Sequence, residues 1–170
     1  VYAENADIAL VPGTDLSPED GSYLLRNSTQ QGLYNLSLGE WAPGYRINYT
    51  DAFHIKNNEA FEIILTCVNF SSTSTGTSYL NVYMKNDTDG DGNADGDWIA
   101  VWLGCTSNET HWFAGSGNQL SASYYIRFVS GAELPVKLEV KIPESGVGIS
   151  QGTPSLLYEG TMYLWFTSRY

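Results

Sequence analysis

The chain is poor in positive charge. Eight Lys and Arg stand against 19 Asp and Glu, a formal net charge of −11 over 170 residues. Nucleic acids and anionic membrane surfaces are held by basic patches, so this balance argues against both as partners and leaves room for divalent cations. Apolar runs are short, and none approaches the ~18 residues of a membrane span. Runs of Ala, Lys and Glu at helical spacing are missing. Histidine is limited to His54 and His111, and no G-x-S-x-G, P-loop or HExxH pattern occurs. His54 reads as a strand residue facing solvent and His111 as loop surface beside Trp112. No acid stands out from the polar face of its strand. The reading is therefore not an enzyme.

What is present is aromatic and β-branched residues, 12 Tyr among them, with abundant Gly, Ser, Thr and Asn. That composition predicts an all-β chain. At this length, with no composition break, a single domain with a real core is expected. The plainest amphipathic strand is Val136–Ile142, with Val136, Leu138, Val140 and Ile142 inward and Lys137, Glu139 and Lys141 outward. The most organised stretch is Gly39–Phe70. Pro43-Gly44 makes a turn, Tyr45, Ile47 and Tyr49 alternate with Arg46, Asn48 and Thr50, and a polar turn at 56–59 leads to Phe61, Ile63, Leu65 and Cys67. These two strands read as a β-hairpin, the second of them central because Ile64, Val68 and Phe70 load its other face. Further alternation at Tyr34–Leu38, Tyr79–Lys85, Trp98–Cys105, Leu120–Val129 and Met162–Thr167 brings the count to about nine strands. The expectation is a single-domain β-sandwich of jelly-roll or Ig-like type.

The chain starts at Val1 without an initiator Met, and the expectation is a secreted protein whose signal peptide has been removed. Six N-x-[ST] sequons at Asn27, Asn35, Asn48, Asn69, Asn86 and Asn108 fit an extracellular, cell-surface glycoprotein. In that setting Cys67 and Cys105 are expected to form a disulfide, although two buried free thiols would fit the same positions. A loop of this separation would contribute about 4 kcal/mol in the chain-entropy account.

Between two strands lies Asp87-Thr-Asp-Gly-Asp-Gly-Asn-Ala-Asp-Gly-Asp97. Asp87, Asp89 and Asp91 match positions 1, 3 and 5 of a calcium loop, Asn93 position 7 through its carbonyl, and Asp95 position 9. Gly92 permits the tight winding. The bidentate Glu of position 12 is replaced by Trp98. Five acids within 11 residues repel one another without a cation, so the expectation is a structural Ca²⁺ and no catalytic cofactor. The plainer alternative is a solvated acidic hairpin loop.

Residues 1–12 read as an apolar strand, with Ala6, Ile8 and Leu10 on one face. Residues 13–22, rich in turn residues and acids, read as a linker to the sandwich at 23–170. Two readings of the strand stay open. It is the ordinary first strand of its own sandwich, or it adds to the sheet of a neighbouring subunit.

The block LSLGEWAPGYRINYTDAFHIKNNEAFEIILTCVNF resembles the TasA/camelysin group of secreted fibre subunits and, within it, the archaeal bundling pilins. The likeness covers about Leu36–Phe70 and consists of a strand, a Pro-Gly turn, an aromatic strand ending F-x-I-x-N-N-x, and an apolar strand. It implies a jelly-roll subunit that polymerises head to tail by donor-strand complementation, with the inserted row Ala6, Ile8 and Leu10. Its partners would be identical subunits in a helical filament and neighbouring filaments in bundles that connect cells in a biofilm matrix. The acidic loop and the cysteine pair are not part of that pattern. A secreted carbohydrate-binding or adhesion module, using Trp41, Tyr45, Trp112 and Phe113, is the alternative.

Overall fold

The structure, a computed structural model, describes residues 7–15, 26–27, 34–35, 43–70, 79–103, 112–113, 126–144 and 162–168. Within them the chain is all-β, as its composition predicts, with strands β1 (Ile8–Pro12), β2 (Arg26–Asn27), β3 (Tyr34–Asn35), β4 (Arg46–Asn57), β5 (Ile63–Phe70), β6 (Leu80–Lys85), β7 (Trp98–Leu103), β8 (Trp112–Phe113), β9 (Ile126–Phe128), β10 (Glu133–Lys141) and β11 (Met162–Ser168). One sheet has the order β1-β4-β10-β6-β7, and a second has the order β11-β5-β8 with β9 also on β5. β2 and β3 form a separate ladder. Every pairing is antiparallel.

The alternating strands build one core from both sheets. Val136, Leu138 and Val140 of β10 meet Leu80, Val82 and Met84 of β6 as partners or neighbours in register. They join Phe53 and Ile55 of β4, Ile63, Leu65 and Val68 of β5, and Ile126 and Phe128 of β9 in one buried cluster. Between these strands, the gap lined by Phe53, Met84, Val101 and Leu164 has no room for a water molecule, the close packing expected of a sandwich interior. Phe128 and Phe166 meet edge to face at 5.7 Å, the favoured geometry for two rings. β5 is central, flanked by β11 on one side and by β8 and β9 along the other.

The expected β4–β5 hairpin is corrected. The two strands lie in different sheets, and residues 58–62 carry the chain across the sandwich. Both edges of β4 are taken, by β1 and β10, so no edge remains for β5. The crossing is held by Asn57, which is fully buried. Its Nδ2 donates to the carbonyls of Phe61, Phe128 and Val129 at 2.9, 3.1 and 3.2 Å, while its Oδ1 accepts from the Glu59 N–H at 2.9 Å.

Alternation also fails at irregularities in the ladders, those on β4 and β7 among them. On β4, Phe53 pairs with Val136 but Tyr49 pairs with Leu138, so three residues of β4 stand opposite one of β10. This bulge buries both Ala52 and Phe53 and turns Asp51 and His54 to the same outer surface. On β7, Trp102 pairs with Val82 and Ala100 with Tyr83. The extra residue there buries Trp102 together with Val101, where strict alternation had placed them on opposite faces.

The N-terminal strand lies at the edge of the five-stranded sheet of its own chain, Ile8 opposite Asn57 and Pro12 opposite Phe53. Ile8 is buried and Leu10 packs against the core. Ala6, Cys105 and His111 lie outside the described residues, as do most of the linker at 13–22 and Asn108. Cys67 sits in β5, its backbone opposite Trp165 and Phe113.

Candidate functional site

Two polar constellations stand out among the described residues. The first is the acidic loop between β6 and β7, which pair as an antiparallel hairpin. Its base is tied by two amides, Asp95 N and Gly96 N, that both donate to the Asn86 carbonyl at 3.1 Å. Asp87 is fully buried, and its carboxylate winds the loop. Oδ1 accepts from Gly90 N at 2.6 Å and Oδ2 from Gly92 N at 2.9 Å. Gly90 and Gly92 have φ of 83° and 92°, backbone that a side chain resists. Loop curvature therefore follows from the alternation of Asp and Gly.

This winding brings one oxygen from each of Asp87, Asp89 and Asp91 to within 4.8 Å of one another. A bond from the Asn93 side-chain amide, the strongest of several, holds the Asp91 carboxyl below its ordinary value, keeping it ionised. Such a group of hard oxygen donors on a short turn suits a calcium-sized cation. Of the other two expected ligands, Asp95 has its carboxylate on Thr88, whose N–H and hydroxyl both donate to it at 2.7–2.8 Å. The Asn93 side chain donates to Asp91 at 3.0 Å. The structure thus gathers three of the four expected carboxylates, while the Asp95 and Asn93 side chains shape the turn; the donor expected of Asn93 is its main-chain carbonyl.

The loop is also anchored to the opposite sheet. Arg127 of β9 donates from its backbone N to Asn86 Oδ1 at 2.9 Å and from Nε to Glu62 at 2.9 Å. A Cβ placed on Gly90 would lie 2.7 Å from Arg127 Nη2, so the guanidinium rests against the loop backbone. Asn86, one of the six sequons, already has its side-chain oxygen engaged. Asn48 on β4 is exposed.

The second constellation was not legible in the sequence. His54 of β4 lies between two carboxylates, with Nε2 2.5 Å from Asp51 Oδ1 and Nδ1 2.8 Å from Glu133 Oε1 of β10. The other Asp51 oxygen accepts from the Thr14 N–H at 2.9 Å and the Thr14 hydroxyl at 2.7 Å. Asp15 reciprocates: its Oδ2 accepts from Asp51 N at 2.7 Å and Thr50 Oγ1 at 3.0 Å. Gly13 N and Asp15 N donate to the carbonyls of Ala52 and Asp51 at 3.1 Å. The C-terminal end of β1 is thereby clamped onto the β4 bulge. At its other end, Asp7 N donates to Glu59 Oε1 at 2.8 Å and Asn58 N donates to the Asp7 carbonyl at 2.9 Å.

No protein-family model matches the chain, and no curated protein matches it significantly. No helix among the described residues is long and apolar enough to cross a membrane.

Proposed function

We propose that this chain is a non-catalytic structural subunit of an extracellular fibre, assembling head to tail by exchange of its N-terminal strand between copies. The observation that carries the reading is the position of β1. It is an edge strand and, among the described residues, its ladder partner is β4. Its apolar row is short, Ile8 and Leu10, and polar anchors at its two ends fix its register. Every contact it makes with β4 is available to the same segment of a second copy, because the acceptor groove and the strand are both present in each chain. A strand passed on in this way leaves a free groove at one end and a free strand at the other, so the contact propagates as an open filament. An edge left bare would invite uncontrolled pairing, and self-occupation by β1 caps it until exchange.

A calcium ion held by Asp87, Asp89 and Asp91 would have a structural role here. The loop ties the β6–β7 hairpin of one sheet to β9 of the other through Arg127 and Asn86, so a cation that fixes the loop stiffens the sandwich that carries the load. The acidic charge and the sequons fit a solvated surface outside the cell.

The deciding experiment is electron microscopy of the full chain beside a version lacking residues 1–12. Filaments from the first and none from the second are the expected result. Well-folded monomers in both would overturn the fibre reading in favour of a carbohydrate-binding module, for which glycan screening by tryptophan fluorescence is the next measurement.

A further inference from the structure

The clamp at the end of β1 contains a group whose hydrogen-bonding capacity changes with one proton. A neutral imidazole has one N–H donor and one lone-pair acceptor, whereas the imidazolium donates from both nitrogens. His54 has an ionised-carboxylate acceptor at each nitrogen, Asp51 at 2.5 Å and Glu133 at 2.8 Å. Only the protonated ring satisfies both. When the proton leaves, one carboxylate oxygen faces a ring lone pair at hydrogen-bond distance, and that contact turns repulsive.

Asp51 is the link to the strand. Its Oδ1 is on His54, and its Oδ2 is on the N–H and hydroxyl of Thr14. Thr14 stands two residues beyond the end of β1, and its neighbours Gly13 and Asp15 complete the clamp. The bulge of β4 makes this geometry, since it alone places residues 51 and 54 on one surface. Movement of the Asp51 carboxylate therefore acts on the strand end directly.

We infer that Asp51, His54 and Glu133 form a proton-operated latch that holds the N-terminal strand in its own sheet when His54 is charged and loosens it when His54 is neutral. The inference concerns the strand exchanged in the proposed assembly, but it is a property of the single chain and is measured there.

The charged groups around His54 among the described residues favour the protonated state. The segment after β1 offers Asp15. β4 itself carries Asp51 and Lys56, the latter opposite Glu133 in the ladder register. β10 carries Glu133, then Pro135 directly opposite His54, then Lys137. Lys137 lies over the Tyr83 and Trp98 rings, 4.5 and 5.1 Å from their centroids, and Asp51 and Glu133 are the groups in direct contact with the ring. Burial works against the charge on His54 and is the largest single influence, yet the bonds and attraction of Glu133 and Asp51 together raise its pKa above the ordinary 6.5. A raised folded-state value means that the stabilisation is fully present below pH 6.5 and is lost as pH rises through the higher value.

The test is hydrogen exchange by mass spectrometry on dilute, monomeric full-length chain, reading a peptide over residues 7–15 on both sides of the His54 titration and correcting for intrinsic exchange. Protection of that segment is expected to fall severalfold as pH rises, while residues 80–85 of β6 stay unchanged. Glu133→Gln supplies an amide that donates to the neutral ring, so it should keep the segment protected at both pH values. His54→Gln should show the lower protection throughout, and His111→Gln should behave as the parent. Equal protection of the parent chain at both pH values overturns the latch, and so does a pH step that survives in Glu133→Gln. A step seen in a chain that never forms filaments would support the latch and count against the fibre reading, so the two fail separately.

Discussion

The side chain of Asn57 donates to the carbonyl of Phe128 at 3.1 Å, joining the end of β4 in one sheet to β9 in the other across 71 positions of sequence. The same amide reaches Phe61 and Val129, and its oxygen takes the Glu59 N–H. Replacing Asn57 with Leu removes these partners and strands buried carbonyls. A loss of about 3 kcal/mol is expected from urea unfolding, the range for a broken buried network. A shift no larger than that of a surface substitution, about 0.5 kcal/mol, would show that the crossing is held by packing alone.

Gly13 separates steric from conformational cost. A Cβ there would lie 2.0 Å from the Asp51 backbone oxygen and 2.6 Å from its carbon, and neither can rotate away. Gly13→Ala should destabilise by about 1–3 kcal/mol and raise exchange in residues 7–15 selectively. Gly131→Ala makes the contrast. Nothing lies within 4 Å of a Cβ at that site, but φ is +79°, so about 1 kcal/mol from backbone strain alone is expected. Equal local exchange in both variants would argue against the clamp at Gly13.

Acid should loosen the same strand end by a different route. The Thr14 hydroxyl is the main influence holding the Asp51 carboxyl below its ordinary 3.8; burial opposes it, and the Thr14 N–H and His54 add to it. A lowered folded-state value contributes stability above pH 3.8 that is lost as pH falls through the lower value. The β1 segment of the parent chain should therefore open in the acid range below pH 4, and Asp51→Asn should flatten that limb. An unchanged acid limb in the variant would assign the opening to other carboxylates.

Calcium should raise the melting temperature of the parent chain and chelation should reverse the rise, by preferential binding to the folded state. Asp89→Asn should weaken the response, because Asp89 contributes an oxygen to the group yet, unlike Asp87, does not hold the Gly90 and Gly92 amides. Identical melting with calcium and with chelator would remove the cation from the loop.

Ile8→Asp puts a carboxylate at a position that is buried in the β1–β4 edge. Burying an unpaired charge is costly whichever copy supplies the strand, so filaments should be lost while the remaining strands keep their circular dichroism. Normal filaments from this variant, seen by electron microscopy, would remove the donor-strand assignment.

Local patterns were read correctly where local physics decides them. Period-2 alternation in Val136–Ile142 and Leu80–Met84 put the right side chains in the core, since a strand buried on one face imposes that period. The Pro43-Gly44 turn is present with Gly44 at φ 74°. The Asp87–Asp91 group was legible because its residues lie within one loop, so spacing in sequence is nearly spacing in space. Asp51 and His54 were not legible as a pair. Three residues apart on a regular strand they point to opposite faces, and only the bulge opposite β10 reverses this. Glu133 lies 79 positions from His54, and no local signal connects them.

Sequence alone determined the all-β class, the faces of the regular strands and the curvature of the acidic loop, because propensity, alternation and glycine placement act over a few residues. Which strands are neighbours was decided by tertiary structure. Apolar alternation specifies a face to bury but not the edge to pair with, so the β4–β5 segment reads as a hairpin although a crossing between sheets buries the same faces. The occupied edges of β4 and the buried amide of Asn57 made it a crossing. That same choice of neighbours set β1, His54 and Glu133 side by side.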